Sequence, residues 1–173
     1  MSVKQLSVFL ENRPGALYGM TGILSQNKID MRALSVAETR DFGILRIIVD
    51  DPYKTATVLK DAGYVNITPV LGVAIPDVPG GLNKVLQVLT DARINVEYMY
   101  AFLGGKTEAA YMIFRVEDNN AAAEALASRG IKTLEEAGVL ESGYPANVKR
   151  NSFQEKGQTA RQPARGLLFQ IRS

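Results

Sequence analysis

Two stretches of sequence, Glu11-Asn12-Arg13-Pro14-Gly15-Ala16-Leu17 and Pro76-Asp77-Val78-Pro79-Gly80-Gly81-Leu82, carry one Pro-Gly-x-Leu turn twice, 65 residues apart. The offset extends outward from the turns. Ile23-Leu24-Ser25 aligns with Val88-Leu89-Thr90, and Lys28-Ile29-Asp30-Met31 with Arg93-Ile94-Asn95-Val96. Past a two-residue insertion the offset is 67, where Val49-Asp50-Asp51 meets Val116-Glu117-Asp118 and Leu59-Lys60-Asp61-Ala62-Gly63 meets Leu126-Ala127-Ser128-Arg129-Gly130. The insertion separates Glu38–Gly43 from Phe102–Thr107, which reads as a turn. Repetition on this scale identifies two copies of one unit of roughly 65 to 70 residues.

Each copy reads as strand, helix, strand, strand, helix, strand. Leu6, Val8 and Leu10 alternate as a strand with one buried face, and Leu71, Val73 and Ile75 repeat them. The Pro-Gly turn then starts a helix, whose Leu17, Met20, Thr21 and Leu24 correspond to Leu82, Val85, Leu86 and Leu89 on one face. Leu45, Ile47 and Val49, matched by Met112, Phe114 and Val116, form the third strand. Asp51 and Pro52 supply a cap and a first-turn proline to the second helix, which should stop at Gly63, its partner at Gly130. A fourth strand is expected near Val65–Thr68 and again near Lys132–Leu134. This βαββαβ order predicts an α+β fold: two ferredoxin-like modules, each an antiparallel sheet with its helices on one face. The modules span 1–69 and 70–140. Residues 141–173 read as a flexible basic tail, rich in Gly, Pro, Gln and Arg, without sustained periodicity. Its apolar end, Gly166–Ile171, is either a docking segment or an extension foreign to the fold.

The 173 residues are 46% apolar, enough to bury a core, and hold 20 Lys+Arg against 18 Asp+Glu, six and two of them after Leu140. A net charge of +2 argues against nucleic acid as a partner. The absence of His and Cys removes zinc-finger sites, disulfides, thiol nucleophiles and the side chain most used for proton transfer near neutrality. No apolar run approaches the roughly 18 residues needed to span a bilayer, so no membrane association is expected and the chain reads as soluble and cytoplasmic.

Other candidates for chemistry fail on context. Gly104-Gly105-Lys106-Thr107 ends like a phosphate loop, but Tyr100 stands where that motif needs glycine. The acidic pairs Asp50/Asp51 and Glu117/Asp118 sit where strands hand over to helices and read as caps; no metal or cofactor is expected. A base-stacking module of this topology needs aromatics on its third strands, and Gly43–Val49 has none. The Pro-Gly turns remain. There glycine admits a ligand to the backbone, and N–H groups at a helix start attract a carboxylate. Ordinary helix-start chemistry explains the same residues.

A Pro-Gly-x-Leu turn after an alternating strand, inside a βαββαβ unit and repeated in register, resembles the ACT domain, a small regulatory module that binds amino acids. Glu11–Gly15 is similar to the serine-sensing domain of phosphoglycerate dehydrogenase. The resemblance covers about Val3 to Leu140. It implies a non-catalytic sensor that binds a small amino acid at an interface between modules. By position, the polar ligand contacts fall on Asn12 and Asp77 in the turns and on Asp30 and Asn95 before the next strands. Arg13, Val78, Leu17 and Leu82 flank them, and backbone N–H groups near Gly15, Ala16, Gly80 and Gly81 face the carboxylate. The alternative is a regulatory subunit docking on an amino-acid biosynthetic enzyme such as acetohydroxyacid synthase, whose small subunit the first copy resembles.

Two further expectations follow. The third strands are apolar on their second face as well, at Ile44, Ile48, Tyr111 and Ile113, so the modules should pair within the chain and chains should associate into a homodimer or larger. If each turn meets the other copy's strand start, Asn12 joins Asn95 and Asp77 joins Asp30. The neutral pair suits a zwitterion, while the acidic pair repels itself when empty. The small residues Ala33, Ser35 and Ala37, aligned with Tyr98, Tyr100 and Phe102, offer space in one copy where the other offers bulk, lining either a pocket or the core.

Overall fold

The computed structural model describes residues 2–38, 42–102 and 109–134. The Gly104–Thr107 turn and the 141–173 segment lie outside these. The order is β1 (Val3–Glu11), α1 (Ala16–Gln26), β2 (Met31–Glu38), β3 (Phe42–Val49), α2 (Pro52–Leu59), β4 (Tyr64–Pro76), α3 (Gly81–Asp91), β5 (Val96–Phe102), β6 (Ala109–Val116), α4 (Asn119–Ser128) and β7 (Thr133–Leu134). The strands run β2-β3-β1-β4-β6-β5, with β7 also on β4, and every pairing is antiparallel. This is the tandem ferredoxin-like arrangement read from the repeat. No helix among the described residues is long and apolar enough to cross a membrane.

One strand serves both copies. β4 pairs with β1 through Val70 and with β6 from Leu71 onward. Its alternation never breaks, so Val65 and Ile67 face the first pair of helices while Leu71, Val73 and Ile75 face the second. Helix-side cores follow the expected residues: Leu6, Val8, Met20, Leu24, Leu45 and Ile47 in the first copy, with Leu71, Val73, Val85, Leu89, Met112 and Phe114 in the second. Burial of each large side chain contributes about 1.5–3 kcal/mol. Leu17 departs from its predicted stripe: at the first turn of α1 it is 43% exposed, beyond the cover of the sheet.

A third cluster joins the copies. Val3, Ala33, Ile48, Val70 and Ile113 are buried together, with Tyr100, Tyr111 and Leu134 packed against them. The second apolar face of the third strands is thus covered at Ile48 and Ile113 by the other half of the same chain. That cover removes these positions as an argument for association between chains. The sheet curls, bringing its edge strands β2 and β5 into contact. At their meeting Gln5, fully buried, donates to Tyr98 Oη (2.8 Å) and Ser7 Oγ (3.1 Å) and accepts from Tyr100 Oη (3.0 Å). Burial holds the Tyr100 hydroxyl well above the ordinary tyrosine range, with Tyr98 adding to the shift and Arg46 opposing it.

One local expectation needs correction. α2 ends at Leu59, short of Gly63, which instead lets β4 pass β1: a Cβ there would collide with the Phe9 carbonyl oxygen. Gly130, by contrast, follows α4 with φ +73°, the left-handed conformation of a helix stop.

Candidate turn sites at two helix starts

The four helices begin in two different ways. At α2 the Asp51 carboxylate accepts from the Lys54 N–H (2.9 Å), and at α4 Asp118 accepts from the N–H groups of Asn120 and Ala121 (2.9 and 3.0 Å). Both acids are therefore spent as caps. At α1 and α3 the cap is Gly15 (φ +86°) and Gly80 (φ +85°), neither of which has a side chain to close the helix start. The prolines stand one residue further out, so they fix the entry of the chain and do not form the first helical turn. Glycine is required here because an L side chain at positive φ is strained. With Ala16 N–H turned back to the Arg13 carbonyl (3.3 Å) and Gly81 N–H to Val78 (2.9 Å), the next N–H groups of each helix point outward, at the positive end of its dipole.

Each uncapped start borders a cleft. The first, about 160 Å³, brings together Asn12, Arg13, Ala16 and Leu17 with Val36 and Leu45. The second, about 410 Å³, brings together Asp77, Val78, Gly80 and Leu82 with Asn83 and Leu86. Arg13 pairs with Glu11 at 2.6 Å in the open. Gly81 lines a larger groove of about 930 Å³ on the other flank of α3, and a Cβ on it would strike the Pro76 carbonyl oxygen. Its counterpart Ala16 meets no such limit, a difference the aligned turns did not reveal. Val36, Leu45, Asn83 and Leu86 were also missed; strand register puts the first two beside their turn, and the helical period of α3 puts the last two beside theirs.

The strand-start residues lie elsewhere. Glu11 pairs with Phe42 at one end of β3 and Met31 with Val49 at the other, so Asn12 and Asp30 are roughly 23 Å apart along the strand. Asp30 is engaged with Arg32 (3.3 Å), and its N–H donates to Asp50 Oδ1 (3.0 Å). Asn95 lines a polar cleft of about 780 Å³ with Ser2, Arg93, Arg115 and Asn119. Ser2 precedes β1 and Asn12 follows it, which separates Asn12 from Asn95 by roughly the 30 Å length of a nine-residue strand. Among the described residues, the cleft that holds Asp77 does not include Asp30. Within one chain, then, neither expected pair is assembled.

A family model described as an ACT domain pair matches residues 1–141. Among solved structures, a protein from Bacteroides thetaiotaomicron is similar over 80% of this chain and 96% of its own, at 41% identity and a TM-score of 0.75. The ligand-free regulatory subunit of aspartate kinase from Thermus thermophilus is similar over 72% of this chain and 91% of its own, at 16% identity and a TM-score of 0.55. Aspartate kinase from Synechocystis shares 17% identity over 78% of this chain and 28% of its own, with a TM-score of 0.54. At these two identities the likeness concerns the fold. No curated protein matches the chain significantly.

Proposed function

Because the chain belongs to the ACT domain pair family, we propose that it is a non-catalytic regulatory protein that senses a small amino acid at its Pro-Gly turns. The observation carrying this reading is the contrast between helix starts. Two are closed by aspartates, and two are left open by left-handed glycines, each beside a cleft. An open start with outward N–H groups suits a carboxylate, and the side chain of Asn12 suits an ammonium. The modules are taken as 1–69 and 70–140. Since no strand-start residue reaches a turn within the chain, the second wall of each site would come from another copy. The face of β2 that carries Leu34 (48%) and Val36 (54%) is exposed, and Val36 lies at the first cleft, which supports that arrangement.

The test is a thermal-shift screen of the amino acids on the purified chain, followed by titration calorimetry with the one that stabilises it. About one strong site per chain is expected, abolished by Asn12→Ala and little changed by Asp77→Ala. Two equal sites, or the reverse ranking, would reject the assignment.

The same exposed residues, together with Tyr18 at 84%, favour a second reading: a subunit that docks on an amino-acid biosynthetic enzyme. A chain with no amino-acid ligand that changes the activity of an added acetohydroxyacid synthase catalytic subunit would favour it.

A further inference from the structure

The inward faces of the two sheets differ in one row. Across β2, β3 and β1, the register sets Ser35 opposite Arg46 and Arg46 opposite Ser7. The corresponding row of the second copy is Tyr100, Ile113 and Gly72, paired in the same manner. The fold is therefore satisfied by apolar or small residues at these three positions, and nothing in the architecture calls for a cation between two hydroxyls.

The donors of this row are unspent. The guanidinium of Arg46 sits over the Tyr98 ring, with Cζ 4.0 Å from the centroid. Stacking uses the face of the guanidinium and leaves its N–H edge for acceptors. Its Nε is buried and meets no acceptor among the described residues. Ser7 Oγ accepts from Gln5, which leaves the hydroxyl proton to donate, and no described residue accepts from Ser35. None of the inward neighbours Gln5, Phe9, Ile44, Ile48, Ala33 and Ala37 is a carboxylate. A half-buried cation with no carboxylate among these neighbours is costly, and the aromatic ring offsets that only in part. The flanking β2 residues Ala33 and Ala37 are small, and Ser7, Ser35 and Arg46 all keep part of their surface exposed.

We propose that the row Ser35–Arg46–Ser7 binds a small oxyanion, a carboxylate or a phosphate, in the seam between the two modules. The guanidinium edge would hold two oxygens of the anion and the serine hydroxyls would donate from either side. This site is separate from the turn clefts and does not rest on the function proposed for them. Because Tyr98 belongs to the second module, an anion here would tie β1 and β3 to β5.

Titration calorimetry of the full chain with sodium acetate, and separately with inorganic phosphate, at fixed ionic strength tests it. Saturable binding of at least one anion is expected, weakened at least tenfold by Arg46→Met and several-fold by Ser35→Ala. Binding of acetate alone assigns a carboxylate ligand, and of phosphate alone a phosphate. Absence of saturable binding by the unmodified chain, or unchanged affinity in Arg46→Met, overturns the proposal. Should Arg46→Met fail to fold, the double variant Ser7→Ala/Ser35→Ala takes its place, and unchanged affinity there is equally decisive.

Discussion

Gln5 shows how a polar side chain comes to sit at the centre of an apolar seam. Its two amide protons go to Tyr98 and Ser7 and its oxygen accepts from Tyr100, so the burial of the amide is compensated. Tyr100 pays for this in its titration. Burial raises its folded pKa above the unfolded value of about 10, so its contribution to stability is complete below that pH. As pH climbs beyond about 10 the unfolded chain ionises first, and the contribution is lost. Tyr100→Phe leaves the Gln5 oxygen without its donor and should cost about 1–3 kcal/mol at neutral pH. It also removes one ionisation, so the variant and the parent should converge in stability above pH 10. Urea unfolding from pH 7 to 11 checks this; parallel curves throughout would contradict it.

At the scale of elements, the helix starts divide by how they are closed. Asp51→Ala and Asp118→Ala each remove a cap, at about 1 kcal/mol apiece. The two caps lie in different modules and share no partner, so their effects should add in chemical denaturation. Gly15→Ala and Gly80→Ala act through strain instead, about 1–2 kcal/mol each, since both positions hold φ near +85°. A strain penalty, unlike a lost cap, should persist for every replacement except asparagine and aspartate, which tolerate the left-handed region. Much of this level was legible beforehand. Alternation along Leu6–Leu10 and the Asp-Pro pair before α2 are local signals, and recurrence at a constant offset made them reliable. The glycines were less transparent. Gly63 read as a helix stop because glycine often is one, whereas its role is the passage of β4 beside β1, a contact made between distant segments. Leu17 fitted the helical period, but periodicity does not say where the sheet beneath a helix ends. The turn residues of the candidate site were visible as a motif. The failure of Asn12 to meet Asn95 depends on which ends of β1 they occupy, and that is topology.

For the molecule as a whole, the consequential feature is that the two modules share both a strand and a core. Apolar positions on the second face of β3 and β6 announced that something covers them, without naming the cover; the curl of the sheet supplies it from the other copy. Ile113 touches no helix-side core, yet it is fully buried against Val3, Ala33, Ile48 and Val70 of the first half. Ile113→Ala should therefore cost about 2–5 kcal/mol, as for other large-to-small changes in a packed core. The sharper test concerns cooperativity. Leu126 lies in the core of the second module alone. If the modules unfolded independently, Leu126→Ala would shift only part of the melting curve and expose a second transition. With β4 continuous through both sheets and the seam buried, opening one module strips the partner of its neighbouring strand and of its inner packing. Calorimetry on the parent chain, on Ile113→Ala and on Leu126→Ala should then show one transition in each case, displaced downward as a unit in the variants. Two resolved transitions in the parent or in Leu126→Ala would mean that the seam does not couple the halves.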